Sequence, residues 1–159
     1  MILYHGSNVV VEKPKIIPQL RALDFGAGFY LTSNRQQAEK WARNVCKRRL
    51  VGTPILNMYG FEDGDLNNLE VLRFDKADGN WLDFVVSNRK RDYYDKKYDI
   101  VIGPVANDTT IRVIDDYMSG VYIKEEAIKR LLPQKLTDQY AFLTVEALEL
   151  LRFEGGNSI

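Results

Sequence analysis

The chain has 159 residues, 45% of them hydrophobic, and its 22 basic and 22 acidic side chains give a formal net charge of zero. This length fits one domain with a substantial core. A balanced charge excludes the overall surplus of Lys and Arg that is typical of proteins dominated by nucleic-acid or membrane binding.

The sequence contains one cysteine, Cys46, and one histidine, His5. A disulfide framework and a cysteine-rich zinc site are therefore excluded, and we predict no metal site. No apolar run approaches the ~20 residues of a membrane helix, and the N-terminus lacks the pattern of a signal peptide. We expect a cytoplasmic protein without a membrane partner, with export by a signal-independent route left open.

The first part of the chain is predicted to form two strands joined by a long loop. Residues 2–4 are a short strand, which we expect to end before His5 and a turn. Residues 11–25 carry two prolines and no period, which indicates a loop. The sequence GFYLT at 28–32 is aromatic and β-branched and predicts the second strand.

A helix is predicted over residues 34–49. Ser33 and Gln36 fit a capping box at its start, and basic residues fill its last turn. The apolar residues of this segment recur at helical spacing. We therefore expect Trp41 to lie in the core.

The rest of the chain is predicted to mix short strands and short helices. In chain order the predicted elements are strands at 53–61 and 68–75 around the turn EDGD, a helix at 79–90, a strand at 100–102, a helix from 111 to a stop at Gly120, a helix at 124–132, a strand at 139–144 and a short helix capped by Thr144. There is no repeat, linker or regular βαβ alternation. This pattern predicts a single α+β domain over 1–159.

Three segments place polar or glycine residues at predicted strand ends, where binding sites usually form. They are YHGS at 4–7, DFGAGFYLTSNRQQAEKWA at 24–42 and TDQYAFLT at 137–144. Phe29 and Tyr30 point to opposite faces of a strand, so one leaves the core side, and a tyrosine there offers a stacking surface. Gly26 and Gly28 either admit a ligand close to the backbone or make an ordinary turn. His5 either binds a ligand or is a polar strand end satisfied by the backbone.

The order of these segments resembles the ADP-ribosyltransferase superfamily, in the histidine–tyrosine–third-residue branch that includes diphtheria-toxin-like and poly-ADP-ribose-polymerase-like enzymes. Together with YDIVIGPVAND at 98–108, they more narrowly resemble a bacterial family of uncharacterised domains assigned to that superfamily, over nearly the whole chain. The resemblance implies two packed, mostly antiparallel sheets with peripheral helices around an NAD cleft.

The resemblance also implies roles for individual residues. His5 would bond the adenosine ribose, the backbone of Gly6 would hold the nicotinamide carboxamide, and Tyr30 would stack on the nicotinamide. The third position falls on Gln139, where the best-known members carry Glu. The implied catalytic residues are His5, Tyr30 and Gln139, and the implied NAD-binding residues are His5, Gly6, Ser7, Asp24, Phe25, Gly28 and Tyr30.

The implied function is mono-ADP-ribosyl transfer, with NAD as co-substrate and a macromolecular acceptor of unknown type. Cleavage of the nicotinamide–ribose bond passes through an oxocarbenium-like state and needs neither a metal nor a covalent nucleophile. A neutral amide at Gln139 cannot act as a base, which argues against poly-ADP-ribosylation. On a strand, Asp138 would face away from Gln139. The resemblance further implies a toxin-like role with a neutralising antitoxin partner.

Three alternatives stay open at this point. The first is an NAD glycohydrolase, with water as acceptor. The second is a catalytically silent module that binds NAD or ADP-ribose. The third is a protein- or RNA-interaction domain that uses the basic, tyrosine-rich stretch NRKRDYYDKKYD at 88–99, although a solvated face also explains that composition. Two site residues have plain alternatives too: Gln139 as a solvent-facing strand residue, and Tyr30 as a core residue.

Overall fold

The computed structural model describes residues 1–18, 23–64, 66, 68–91 and 97–159. The described strands are β1 (Ile2–Ser7), β2 (Phe29–Leu31), β3 (Ile55–Gly60), β4 (Val71–Arg73), β5 (Ile100–Pro104), β6 (Asp138–Phe142) and β7 (Arg152–Ser158). The described helices are α1 (Arg35–Arg49), α2 (Gly79–Arg89), α3 (Asp108–Met118), α4 (Lys124–Leu131) and α5 (Val145–Leu148). The predicted α+β class is confirmed. Parts of the predicted loop, of the EDGD turn and of the basic, tyrosine-rich stretch lie outside the described residues, at 19–22, 65 and 92–96.

The strands form two sheets, and most of their pairings are antiparallel as predicted. The first sheet has the order β1-β3-β7 and the second has the order β2-β6-β5-β4, in which only β4 and β5 run parallel. An isolated bridge between Tyr4 and Thr32 joins β1 to β2. The middle of β1 therefore lies beside the residues that lead from β2 into α1.

Apolar side chains form two core clusters. The first cluster draws large residues from both sheets, among them Leu3, Tyr59, Phe61, Leu31, Ile100 and Phe142. The second combines the other face of the second sheet with α2, α3 and α4, among them Val101, Ala141, Trp81, Leu82, Ile114 and Leu131. The second sheet is thus covered on both faces.

Strand β1 is longer than predicted. It continues past residue 4 to Ser7, so His5 and Gly6 lie inside the strand and not in a turn. His5 stands opposite Asn57 of β3 and Gly6 stands opposite Leu56. Pairing with a strand some fifty residues away extends β1, and no local signal in the sequence reports that partner.

The start of α1 differs from the predicted capping box. Asn34 is the N-cap, and its side chain accepts a hydrogen bond from the Gln37 N–H at 2.9 Å. Ser33 is not the cap because its backbone N–H and its hydroxyl both donate to the carboxylate of Asp138. A long-range contact therefore shifts the cap by one residue.

The prediction that Trp41 is a core residue is wrong. Its side chain is half-buried, whereas Ala38 and Ala42 are fully buried. A Cβ added at Gly6 would come within 2.0 Å of the Ala38 carbonyl oxygen, so the helix backbone lies almost on the strand. Only the small residues of α1 fit this contact, and Trp41 lies beside it.

Candidate functional site

Gln139 is a buried polar residue near the start of β6. Its side chain is 4% exposed, and its amide nitrogen Nε2 has no hydrogen-bond partner among the residues that the structure describes. Along β6, Tyr140 and Phe142 enter the first core cluster and Ala141 enters the second. Because side chains alternate along a strand, Gln139 lies on the same face as Ala141. The plain alternative of a solvent-facing Gln139 is therefore wrong.

Asp138 faces the opposite way, as predicted. Its carboxylate accepts hydrogen bonds from the Thr32 hydroxyl at 2.9 Å and the Ser33 N–H at 2.8 Å, and from the Ser33 hydroxyl. These three donors tie the end of β2 to the start of β6. The carboxylate is thus engaged in a structural contact, and Gln139 is the residue that faces the second core.

Tyr30 shares that face with Gln139. It stands directly opposite Ala141 in the antiparallel pairing of β2 with β6, and the resulting diagonal spacing from Gln139 is roughly 7–8 Å. The Tyr30 hydroxyl donates to the Gly26 carbonyl oxygen at 2.5 Å and accepts from the Phe25 N–H at 3.1 Å. Burial raises the pKa of Tyr30 well above its ordinary value. The half-buried ring is therefore neutral and is held by its hydroxyl.

His5 is joined to Tyr30 through the backbone. Its Nδ1 lies 2.7 Å from the Tyr30 carbonyl oxygen, and since a carbonyl only accepts, Nδ1 carries the proton and donates. Burial lowers the pKa of His5 to about 4 despite the hydrogen bond to Tyr30. The ring is therefore neutral at pH 7, with Nε2 as a hydrogen-bond acceptor.

The His5 ring does not share a face with the Tyr30 ring. It packs on Phe29, with the ring centroids 4.2 Å apart, and Phe29 belongs to the first core cluster. The structure thus brings Tyr30 and Gln139 to one face of the second sheet. It places His5 at the adjoining edge of β1.

Gly6 has two distinct features. Its missing side chain lets α1 approach, since an added Cβ would lie 2.0 Å from the Ala38 carbonyl oxygen. Its backbone faces the β2 side, because the N–H and C=O of Tyr4 both bond Thr32 and strand groups alternate in direction. The described pairing of β1 with β2 consists of that one bridge. The peptide groups of Gly6 therefore lie one step beyond the end of the pairing, close to Tyr30.

The other residues that the resemblance assigned to NAD have structural contacts of their own. Asp24 pairs with Arg89 at 2.8 Å, and the ring of Phe25 is 1% exposed within the second core. A Cβ at Gly28 would lie 2.7 Å from the Phe142 carbonyl oxygen, so close packing on β6 requires that glycine. Ser7 is buried at the end of β1. Packing accounts for the ring of Phe25, which is closed to a ligand.

Sequence reasoning missed the residues that hold the turn before Tyr30. Asn88 and Arg89, at the end of α2, both bond Asp24. Nothing near them in the sequence signals this role, because their partner lies more than sixty residues earlier in the chain. Within the described part of the chain, no cluster of three or more His, Cys, Asp or Glu side chains is placed to hold a metal ion. Among the same residues, no helix has both the length and the apolar character needed to cross a bilayer.

A family model described as "Protein of unknown function (DUF3990)" matches residues 1–153. The chain belongs to this family. The DUF3990 match runs from β1 into β7 and so includes every candidate site residue. Comparison of this DUF3990 chain with curated proteins and with solved structures gave no match.

Proposed function

We propose that this DUF3990 domain is a mono-ADP-ribosyltransferase that moves ADP-ribose from NAD to a macromolecular acceptor. The observation that carries the proposal is the buried Gln139 amide nitrogen, which has no hydrogen-bond partner among the described residues and lies on the strand face of Tyr30. An unsatisfied buried donor typically costs about 1–3 kcal/mol. A ligand oxygen, such as that of a ribose hydroxyl, would remove this cost, and because the amide nitrogen is enclosed, the surrounding side chains have to shift for it to bind there.

The neighbouring groups fit the nicotinamide end of NAD. The neutral ring of Tyr30 offers a stacking surface on the same face as Gln139, from a strand position that is diagonal to it at roughly 7–8 Å. The N–H and C=O of Gly6, beyond the end of the β1–β2 pairing, match the acceptor and donor of a carboxamide. The Nε2 atom of His5 can accept a hydrogen bond from a second ribose hydroxyl.

Each residue then has a task that its chemistry allows. Gln139 orients the nicotinamide ribose, Tyr30 holds the leaving ring, and the C–N bond breaks as nicotinamide departs with the bonding electrons. The ribose passes through an oxocarbenium-like state, a lone pair of the acceptor's nucleophilic atom forms the new bond at the same carbon, and the proton of that atom passes to solvent water. Gln139 cannot remove a proton from the acceptor, and Asp138 is engaged by Thr32 and Ser33. This chemistry favours transfer of a single ADP-ribose over chain elongation.

The same neutral amide favours one other candidate, a silent module that binds NAD or ADP-ribose. Without a base, water is poorly activated, so NAD hydrolysis is the weaker candidate. A toxin-like role and a neutralising partner follow from the resemblance and form part of the proposal, together with a cytoplasmic location. The three activities are separated by products: labelled acceptor, ADP-ribose with free nicotinamide, or bound and intact NAD.

The test is incubation of the protein with labelled NAD in a cell lysate, with nicotinamide release and label transfer measured together. We expect both for the wild-type chain. Gln139→Ala should lower both rates by about 100-fold, as expected for loss of one transition-state contact. Gln36→Ala is the matched control, because it removes an exposed glutamine from α1. Gln139→Glu should retain activity and raise hydrolysis relative to transfer, because a carboxylate can activate water.

The site assignment is contradicted if Gln139→Ala and Gln139→Glu, both shown by circular dichroism to be folded, release nicotinamide and transfer label at the wild-type rate. Asp138→Asn tests the neighbouring residue. We expect it to loosen the Thr32 and Ser33 contacts and lower stability, with turnover per folded molecule kept. Loss of turnover in a stable Asp138→Asn protein, beside an active Gln139→Ala protein, would transfer the role to Asp138. Protease and nuclease digestion of the labelled product identifies the acceptor class.

A further inference from the structure

The hydroxyl of Tyr30 rests on a short turn that precedes β2. The Gly26 N–H bonds the Leu23 carbonyl oxygen at 3.2 Å, and Gly26 has a φ of +100°, which favours glycine. The turn presents the Gly26 carbonyl oxygen and the Phe25 N–H to the Tyr30 hydroxyl. Any shift of this turn therefore moves both partners of that hydroxyl.

The end of α2 holds the turn from the other side. Asn88 is 8% exposed, and its amide donates to the Asp24 carbonyl oxygen at 3.1 Å and to the Phe84 carbonyl oxygen at 3.0 Å. Arg89 donates from Nε to the Asp24 carboxylate at 2.8 Å and from Nη1 to Asp115 of α3 at 3.1 Å. A side-chain amide and a guanidinium thus fix the backbone and the carboxylate of one residue.

We infer that Asn88 and Arg89 are positioning residues that hold Tyr30 in place through the turn Asp24–Gly26. The Asp24 and Arg89 side chains are 20% and 16% exposed, so their ion pair is better shielded from water than a surface pair. Asn88 also lies against Gly26, with its Oδ1 atom 3.6 Å from the site of an added Cβ. Where it concerns NAD, this inference rests on the proposed function. The placement of the ring does not.

The first measurement is independent of NAD. Tetranitromethane nitrates tyrosines through the phenolate, and peptide mass spectrometry reports nitration of Tyr30 separately from the other tyrosines. Burial keeps Tyr30 protonated and its hydroxyl is engaged by Gly26 and Phe25, so we expect slow nitration in the wild-type protein. Asn88→Ala and Arg89→Ala should each raise nitration of Tyr30 severalfold. Lys90→Ala is the matched control, because it removes an exposed cation from the residue after α2.

The second measurement is steady-state NAD cleavage. A displaced stacking ring should lower kcat/KM by up to about 100-fold, with most of the loss in KM for NAD. Arg89→Lys keeps a cation beside Asp24 without the fork that reaches Asp115, so it should recover part of the loss. A purely structural role would lower the amount of folded protein and leave KM and the nitration pattern of the folded fraction unchanged.

Wild-type nitration of Tyr30 in folded Asn88→Ala and Arg89→Ala proteins would overturn the inference. If Asn88→Ala does not fold, Arg89→Ala and Arg89→Lys carry the same test. A wild-type protein that releases no nicotinamide contradicts the proposed function while the nitration result still decides the positioning role. Active wild-type protein with unchanged nitration and KM in the variants contradicts the positioning role alone.

Discussion

His5 is a histidine whose surroundings remove its usual ability to change charge near neutral pH. Its Nδ1 donates to the Tyr30 carbonyl oxygen, its ring packs on Phe29, and burial lowers its pKa to about 4. The ring is thereby fixed as one neutral tautomer. A fixed acceptor at Nε2 suits the recognition of a hydroxyl group better than acid–base catalysis.

The lowered pKa of His5 predicts a particular dependence of stability on pH. The unfolded chain binds a proton at His5 below about pH 6.5, whereas the folded chain binds it only near pH 4. The stabilising contribution of neutral His5 is therefore complete above pH 6.5 and is lost as the pH falls toward 4. This contribution is measured by urea unfolding of the wild type and of His5→Gln between about pH 7 and about pH 5. The comparison isolates His5 because the chain has no other histidine. As the pH falls, we expect the free energy of unfolding of the wild type to decrease relative to that of His5→Gln. The same dependence on pH in both proteins would contradict this.

At the scale of elements, the contact of α1 with β1 depends on the absence of side chains. Gly6 lies under Ala38 and Ala42, which are both fully buried, so helix and strand meet backbone to backbone. The same contact explains why Trp41 is half-buried and why helical periodicity alone misplaced it. Periodicity identifies the inward face of a helix, but the space available on that face depends on the opposing strand.

Replacement of Gly6 by Ala should destabilise the protein strongly, independently of any ligand. The added Cβ would meet the Ala38 carbonyl oxygen at 2.0 Å and the Ala42 nitrogen at 2.6 Å, and both are backbone atoms. Overpacking of this kind typically costs about 1–3 kcal/mol, and we expect the upper end of that range. Gly64→Ala is the control, because nothing lies within 4 Å of its added Cβ. Equal denaturation midpoints for the two variants would show that α1 shifts freely.

The sequence was sufficient where the signals are local. The predicted helix at 124–132 is observed at Lys124–Leu131, and the predicted Thr144 cap is confirmed by its hydrogen bond to the Ala147 N–H. Features that depend on distant partners were missed. Examples are the extension of β1 through its pairing with β3, and strand β7, which pairs with the other edge of β3. The same holds at the site. The resemblance predicted Tyr30 and Gln139 as site residues, but the buried state of Gln139 and the support from α2 needed the structure.

For the whole molecule, the second sheet connects the two cores. Along β5, Ile100 and Ile102 enter the first core cluster and Val101 enters the second, and β6 alternates in the same way. The first cluster also contains residues of the other sheet, such as Leu3 and Tyr59. Loss of either core therefore exposes a face of the same strands, and local opening of one half is costly.

This arrangement predicts one cooperative unfolding transition for both halves of the molecule. Trp81 is fully buried in the second core, where its indole N–H donates to the Pro104 carbonyl oxygen at 3.0 Å, whereas Trp41 lies on α1 beside the first sheet. In Trp41→Phe and Trp81→Phe proteins, the remaining tryptophan reports one half. We expect its fluorescence midpoint in urea to coincide with the circular-dichroism midpoint of the same protein. Separate midpoints in either variant would mean that one half unfolds independently, because a shared sheet cannot be lost from one core and kept by the other.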